Sequence, residues 1–496
     1  MKHYRIIIGI WFLCFFILSP LRLLSQYSVY DKEITQDEAI SLLDNLYNSM
    51  QRYHPNIYKY TSKKDFDKIF NDYLSDLKLN KYYKPDDLCN IFTSFISYTK
   101  DSHSSIGMYK RYIKTKNPTV SQTDSLVNVF PFAFNIIDGK MYVAYDFFTD
   151  SIITEKSEIV YINEQETSQW IMGKRMTICS ELDSHKDAKI SRHSQYKLLS
   201  NRVNRFGFVP YNENDTLYAE FDCGVHVLDY DKYLSEAYGE NDEIVSFTPL
   251  NNGKIALVKI QYFYTLETML PIMNNIIDSI SNYDSENLII DLRESPGGHA
   301  EVIGEFIKQI TDKPFKIYSE EHFYVKKSMK KSPNEYMRKP WIHRDYINRK
   351  DVKKLWKDDR DSVFVKISDV IIYPDKHTDK FNGNIWVMVG PYTHSAAVEF
   401  AATIQDNNIG IIVGEESSAV NCYGNPMDYE FSSDVLNNKY IRYDYFAPHI
   451  KLIRPSGELT DAPHGIIPDI EIKANTTLKN DEQLNTLIEI INQTNR

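Results

Sequence analysis

Between Thr35 and Thr99 the apolar residues of "DEAISLLDNLYNSMQRY", "KKDFDKIFNDYLSDL" and "KPDDLCNIFTSFISYT" recur at spacings of three and four, the period that lines one face of a helix. This pattern predicts a small helical domain over 27–100. From Val127 the texture changes to short β-rich runs with polar breaks, "VFPFAFNIIDGKMYVAYDF" and "SEIVYINEQETSQWI", which predict a compact β module to about Arg192. A less clear bridge leads from there to Asn251, so that 101–250 forms the second region. Over 251–496 strand-like and helix-like pieces alternate: "KIALVKIQYF", "LETMLPIMNNIIDSI", "NLIIDLR", "AEVIGEFIKQI", "NIWVMVG", "SAAVEFAATIQ", "IGIIVG". That order predicts an α/β core with largely parallel strands.

The first residues carry a different pattern. Lys2 and Arg5 precede an apolar run from Ile6 to Leu18, followed by Pro20 and "RLLSQ", the charged, apolar and cleavable order of a secretory leader over 1–26. The expectation is export, to the periplasm or the medium, with cleavage near Ser25 and Gln26 preferred to lipid anchoring at Cys14. No later stretch approaches the roughly 20 apolar residues of a membrane span, so no stable membrane insertion is expected once the leader is removed. Cys89, Cys179, Cys223 and Cys422 are scattered without metal-ligand spacing, which indicates neither a zinc site nor a dense disulfide framework. The net charge of −11 argues against a nucleic-acid partner. Only Lys326 to Arg360, with Trp341 and Trp356 interleaved, is strongly basic. It reads either as a solvated helical flap or as the border of a cleft that attracts acidic peptides or a C-terminal carboxylate.

Three short stretches bear candidate chemistry. In "NLIIDLRESPGGHAEVIGEF" an apolar strand ends in Gly297 and Gly298 at the start of a helix, where unpaired N–H groups serve a tight turn or approach a developing oxyanion. Phosphate binding is disfavoured, because neither GxGxxG nor a P-loop lysine is present. In "GPYTHSAAVEFAATIQ" Ser395 is either a helix cap or a nucleophile with the Ala396 N–H beside it; Thr393 is an equally good cap. In "YTKDSHSSIGMY" His103 stands between Ser102 and Ser104, and histidine is the side chain best matched to activating a hydroxyl near neutral pH.

Together these stretches resemble serine peptidase family S41, which holds the C-terminal processing (tail-specific) peptidases and the tricorn core protease. "LIIDLRESPGG" is similar to that family's strand and Gly turn, "THSAAVEFAATIQD" to its nucleophile helix, "IIVGEESS" to the following strand and "HGIIPDIEI" to its terminal G-x-x-P-D strand. "RYHPNIYKY", Arg52 to Tyr60, resembles the N-terminal helical region of exported bacterial members. The resemblance implies a crotonase-like (ClpP/crotonase-type) α/β core with a PDZ-like module, and no metal or organic cofactor.

Within that family the processing peptidases use a Ser/Lys dyad, and the position of their Lys matches Val420 here. The tricorn-like members use Ser, His, a second Ser beside the His, and a Glu. The resemblance therefore implies Ser395 as nucleophile, His103 as base, Ser102 as the neighbouring Ser, and Gly298 with Ala396 as the oxyanion hole. At the place of the Glu this chain has Ala462, which leaves the acid to Asp461, to Glu458 or to neither. The implied function is an exported serine endopeptidase acting on a polypeptide substrate. A catalytically inactive relative that binds a hydrophobic ligand or peptide is the alternative, and a thioester-directed crotonase-type enzyme a third.

Overall fold

The computed structural model describes residues 27–28, 33–110, 113–114, 126–147, 152–193, 199–226, 229–230, 232–233, 243–325, 362–367, 370–374, 380–424, 426–436, 441–459, 462–474 and 481–494. The leader-like segment with Cys14, the basic segment from Lys326 to Arg360 and the candidate acid Asp461 lie outside these residues.

Helices α1 (Gln36–Tyr53), α2 (Lys63–Leu77) and α3 (Pro85–Ser97) fall where the three- and four-residue spacing placed them. Thr35 and Glu38 close α1 with a reciprocal capping box, and Ser62 caps α2 through the Asp65 N–H. Their apolar faces meet around Phe66, Phe92 and Phe95. Strand β1 (Ser105–Lys110) follows directly.

The β-rich region forms an antiparallel sheet from β2 (Phe132–Ile137), β3 (Lys140–Asp146) and β4 (Glu158–Ile162), crossed by helices α4 (Thr167–Arg175) and α5 (Asp183–His193). The stretch read as a bridge contributes two more strands to the same sheet, β5 (Val203–Val209) and β6 (Leu217–Asp222), in the order β6-β5-β4-β3-β2. The module thus continues past Arg192, because Phe206 and Phe208 supply the inward face that packs on Phe130, Phe132, Phe134 and Trp170.

The third region is a six-stranded sheet. Edge strand β7 (Val245–Leu250) pairs antiparallel with β8 (Ile255–Ile260), then β9 (Asn287–Asp291) and β10 (Asn384–Val389) continue in parallel, followed by β11 (Ile411–Gly414). Helices α6 (Leu266–Asn282), α7 (Glu301–Ile310) and α8 (Ala396–Asp406) cover one face, where Ala256, Val258, Leu288, Ile290, Val387 and Ile412 point. The alternate residues Leu257, Ile289, Trp386, Met388 and Val413 point to the other face, where Leu487 and Ile491 of α9 (Glu482–Thr494) cover them. Burial on both faces explains why these strands read as unbroken apolar runs rather than alternating ones.

Toward the end of the chain come β12 (Tyr423–Gly424), β13 (Met427–Glu430), β14 (Ile441–Ala447), β15 (Ile450–Ile453) and β16 (Ile470–Glu471), the last completing the parallel sheet beside β11. Strand β14 pairs with β1, and its Tyr443 and Tyr445 enter the same core as the helices α1 to α3. The helical region is therefore completed by strands more than three hundred residues downstream, as the Tyr443 hydroxyl bonded to the Pro85 carbonyl at 2.8 Å also records.

Candidate active site

Strand β10 ends at Val389, and a turn through Gly390–His394 leads into α8. Ser395 occupies the N-cap position with φ 54° and ψ −125°, and its side chain makes no capping hydrogen bond. Thr393 does not cap α8 either: it is fully buried, accepts the Gly390 N–H at 3.0 Å and donates to the Leu292 carbonyl at 2.8 Å. The His394 N–H donates to the Ser295 carbonyl at 3.0 Å. The turn is thus pinned to the end of β9, and Ser395 is held in a backbone conformation costly for a residue with a Cβ.

The Gly pair lies against this turn. Gly297 has φ 95°, and a Cβ there would come within 2.5 Å of the His394 carbonyl oxygen and 2.7 Å of the Ala396 nitrogen. At Gly298, with φ 135°, a Cβ would meet the Phe263 carbonyl oxygen at 2.1 Å. Phe263 exchanges hydrogen bonds with Gly297 and His299, not with Gly298. Ala396, at the first position of α8, has no intrahelical acceptor. Among the described residues neither the Gly298 nor the Ala396 N–H meets an acceptor; Ala396 follows Ser395, and Gly298 follows the Gly297 whose Cα lies against Ser395 and Ala396.

His103, two residues ahead of β1, directs Nε2 to Ser395 Oγ at 3.1 Å. Its Nδ1 faces the Cys422 thiol at 3.8 Å, a contact that fits a weak Nδ1–H···S bond. Burial pushes the imidazole down to about 4; Asp101 opposes that shift and Lys189 adds to it. Asp101, itself buried, accepts the His103 main-chain N–H at 2.9 Å. Its other oxygen meets His54 Nε2 at 3.1 Å, and His54 Nδ1 accepts the Asn56 N–H at 3.0 Å, which makes Nε2 the donor. Burial also raises the Cys422 thiol well above its ordinary value, with Glu181 and Asp101 adding to the rise. Glu181, in the loop before α5, is pushed up to about 7 by burial and then by the charge of Asp101.

Helix α5 of the β module grips the nucleophile turn. His185 Nδ1 donates to the Pro391 carbonyl at 2.7 Å, and its ring stacks on His394 with centroids 4.9 Å apart. His394 in turn lies 4.5 Å from the His103 ring. Arg192 pairs with Glu294 and sits 5.8 Å over Tyr392. A cleft opens beside Ser395 and His103.

Of the residues singled out from the sequence, Ser395, His103 and Ala396 meet here, and Gly298 follows the Gly297 that lies against Ser395 and Ala396. Ser102 makes no hydrogen bond to Ser395: its hydroxyl is buried and meets no partner among the described residues. Glu458 is committed to Arg454 at 3.1 Å and does not face the His103 ring; Val420 lies in the cavity wall. The sequence reading missed Asp101, His54, Cys422, Glu181 and His394. Two had a signal: Asp101 stands two residues before His103, and His54 lies inside "RYHPNIYKY".

Residues 254–472 match the model of peptidase family S41. No curated protein matches the chain. By fold the chain is similar to the crystal structure of mature CPAF, with 14% identity over 90% of this chain and 94% of that one and a TM-score of 0.61. It is also similar to mature CPAF complexed with lactacystin, with 13% identity, coverage of 92% and 98%, and a TM-score of 0.64.

Proposed function

The chain belongs to peptidase family S41 and is a serine-type peptidase; from that premise we propose that it hydrolyses peptide bonds through Ser395 and His103. The observation that carries this reading is the 3.1 Å contact between His103 Nε2 and Ser395 Oγ. Ser395 Oγ attacks the peptide carbonyl as His103 Nε2 takes its proton. The Gly298 and Ala396 N–H groups receive the oxyanion, His103 returns the proton to the leaving amine, and water then releases the acyl group. Cys422 accepts the Nδ1–H and so keeps Nε2 free to act as base. The carboxylate of Asp101 supplies the negative charge that favours the imidazolium. Orientation and charge, one residue's task in a Ser-His-Asp triad, are divided here between two.

In this reading the α/β core is crotonase-like, the sheet from Phe132 to Asp222 is a PDZ-like module, and the enzyme is exported, as the order of Lys2, Arg5 and the apolar run supports. A binding protein without catalysis is the second reading. It is favoured by one observation: the His103 ring has a neutral thiol, not a carboxylate, at Nδ1. A fluorophosphonate separates the two. The mature protein is expected to be labelled at Ser395 and to lose labelling and peptide cleavage together in Ser395→Ala, with melting within a few degrees of wild type. Wild-type protein that neither labels nor cleaves a broad peptide library establishes the binding reading.

A further inference from the structure

The cavity beside Ser395 has a chemistry that the bond-breaking step does not use. Ile317, Val398, Ala402, Ala419, Val420 and Leu452 give it apolar walls. Glu399, four residues after Ser395 on α8, lies one turn along the same helix face and puts a carboxyl into this lining. The Tyr318 hydroxyl donates to Glu399 Oε2 at 2.6 Å, which fixes the carboxyl in place. Burial raises the acid above its ordinary 4.5, and the Tyr318 bond works against that rise.

The other polar groups of the cavity are already satisfied or neutral. Arg454 also lines it, but its guanidinium is held by Asp406 at 2.6 Å and Glu458 at 3.1 Å. His103 is uncharged near neutral pH and the Cys422 thiol keeps its proton. Among the described residues of the lining, Glu399 is therefore the one charge without a counter-ion. A partly desolvated carboxylate among largely apolar walls is matched by a side chain with an aliphatic stem and a cationic head.

We infer that this cavity receives the side chain on the amino side of the scissile bond and selects lysine or arginine there, with Glu399 as the specificity-determining residue. The inference rests on Ser395 being the nucleophile: the acyl residue is bonded to Oγ, and the cavity and Oγ share the first turns of α8. An acidic residue at that position is rejected, because its carboxylate would face that of Glu399 between largely apolar walls.

Fluorogenic peptides that differ only at that position, with Lys, Arg, Leu, Phe or Glu, test the inference, alongside fluorophosphonate labelling of the same protein. The expected result is kcat/KM at least tenfold higher for Lys and Arg than for Leu, and lowest for Glu. In Glu399→Gln the Lys-to-Leu ratio is expected to fall at least tenfold. In wild-type protein, n-butylamine, a mimic of the lysine side chain, is expected to slow labelling competitively where n-butanol does not; this arm stands even if the variant fails to fold. Labelling at Ser395 with no preference for Lys or Arg, an unchanged ratio in Glu399→Gln, or equal effects of the amine and the alcohol overturns the inference while the nucleophile stands. Wild-type protein that never labels overturns both.

Discussion

In the proposed mechanism His103 has to be neutral to accept a proton from Ser395, and its enclosure favours the neutral form. Its folded pKa of about 4 lies below the ordinary 6.5, so the base stays competent at mildly acidic pH. The acid limb of kcat/KM is expected near pH 4, where a solvent-exposed histidine would place it more than two units higher. The same shift acts on stability. Between about 6.5 and 4 the unfolded chain binds a proton at His103 that the folded chain does not, so this residue's contribution to stability is lost as pH falls through that window. A limb centred near 6.5 in the pH profile argues for an open, solvated imidazole. The neighbouring thiol is tested separately. Cys422→Ala removes the Nδ1 acceptor and is expected to lower kcat about tenfold, or roughly 1.4 kcal/mol of barrier, with KM little changed; Cys422→Ser, which keeps an acceptor, recovers most of that loss. Equal kcat in Cys422→Ala and wild type removes the thiol from the mechanism.

At the scale of elements, the strand-turn-helix around Ser395 is held from two sides. Thr393 ties it to β9 from within. Thr393→Ala leaves the buried Gly390 N–H and Leu292 carbonyl without that partner, and an expected stability loss of about 1–3 kcal/mol, read from denaturant midpoints, tests this. Helix α5 holds the turn from outside through His185 and Arg192. His185→Ala is expected to reduce kcat more than it raises KM, because it loosens Pro391 and His394 without touching the substrate cavity; an unchanged kcat shows that the β module does not position the turn. Much of this arrangement was legible in the sequence. The strands of the parallel sheet announced themselves as apolar runs, and two of the three stretches, the Gly pair and Ser395, stood past the ends of β9 and β10, where a strand hands over to a helix, while His103 stood between α3 and β1. What stayed hidden were partners joined only by folding. Cys422 and His103 are 319 positions apart, and nothing in "NCYG" distinguishes a thiol beside an imidazole from one in a loop. The end of the β module near Arg192 was misplaced for a related reason. Strand β6 has no buried residue and β5 does not alternate through its length, so their pattern reads as loop until the sheet partner is known.

For the whole molecule the decisive feature is a core shared across the chain. Phe92 of α3 packs edge-on against Phe431 and Tyr443, so the helical region cannot keep its apolar face covered without the C-terminal strands. Phe92→Ala is expected to cost about 3–5 kcal/mol and to lower activity in parallel. Its melting curve is expected to stay a single transition; a separate early transition for the helices, with activity retained, shows that they fold apart from the rest. The same wiring sets the charge around the base. His54 leaves α1 to hold Asp101, so the electrostatics of the site depend on the helical region being docked.

The 292 positions between His103 and Ser395 have a consequence for biosynthesis. On the proposed mechanism, a growing chain that has emerged as far as the β module owns a base, a buried acid and an orienting helix, but no nucleophile. Until α8 and the strands after it are made and packed, there is no hydroxyl to activate, no oxyanion hole and no cavity to seat a peptide. A protease assembled in this order is harmless to its own ribosome-bound precursor, and to anything else in the compartment where it is synthesised, for as long as it remains unfolded.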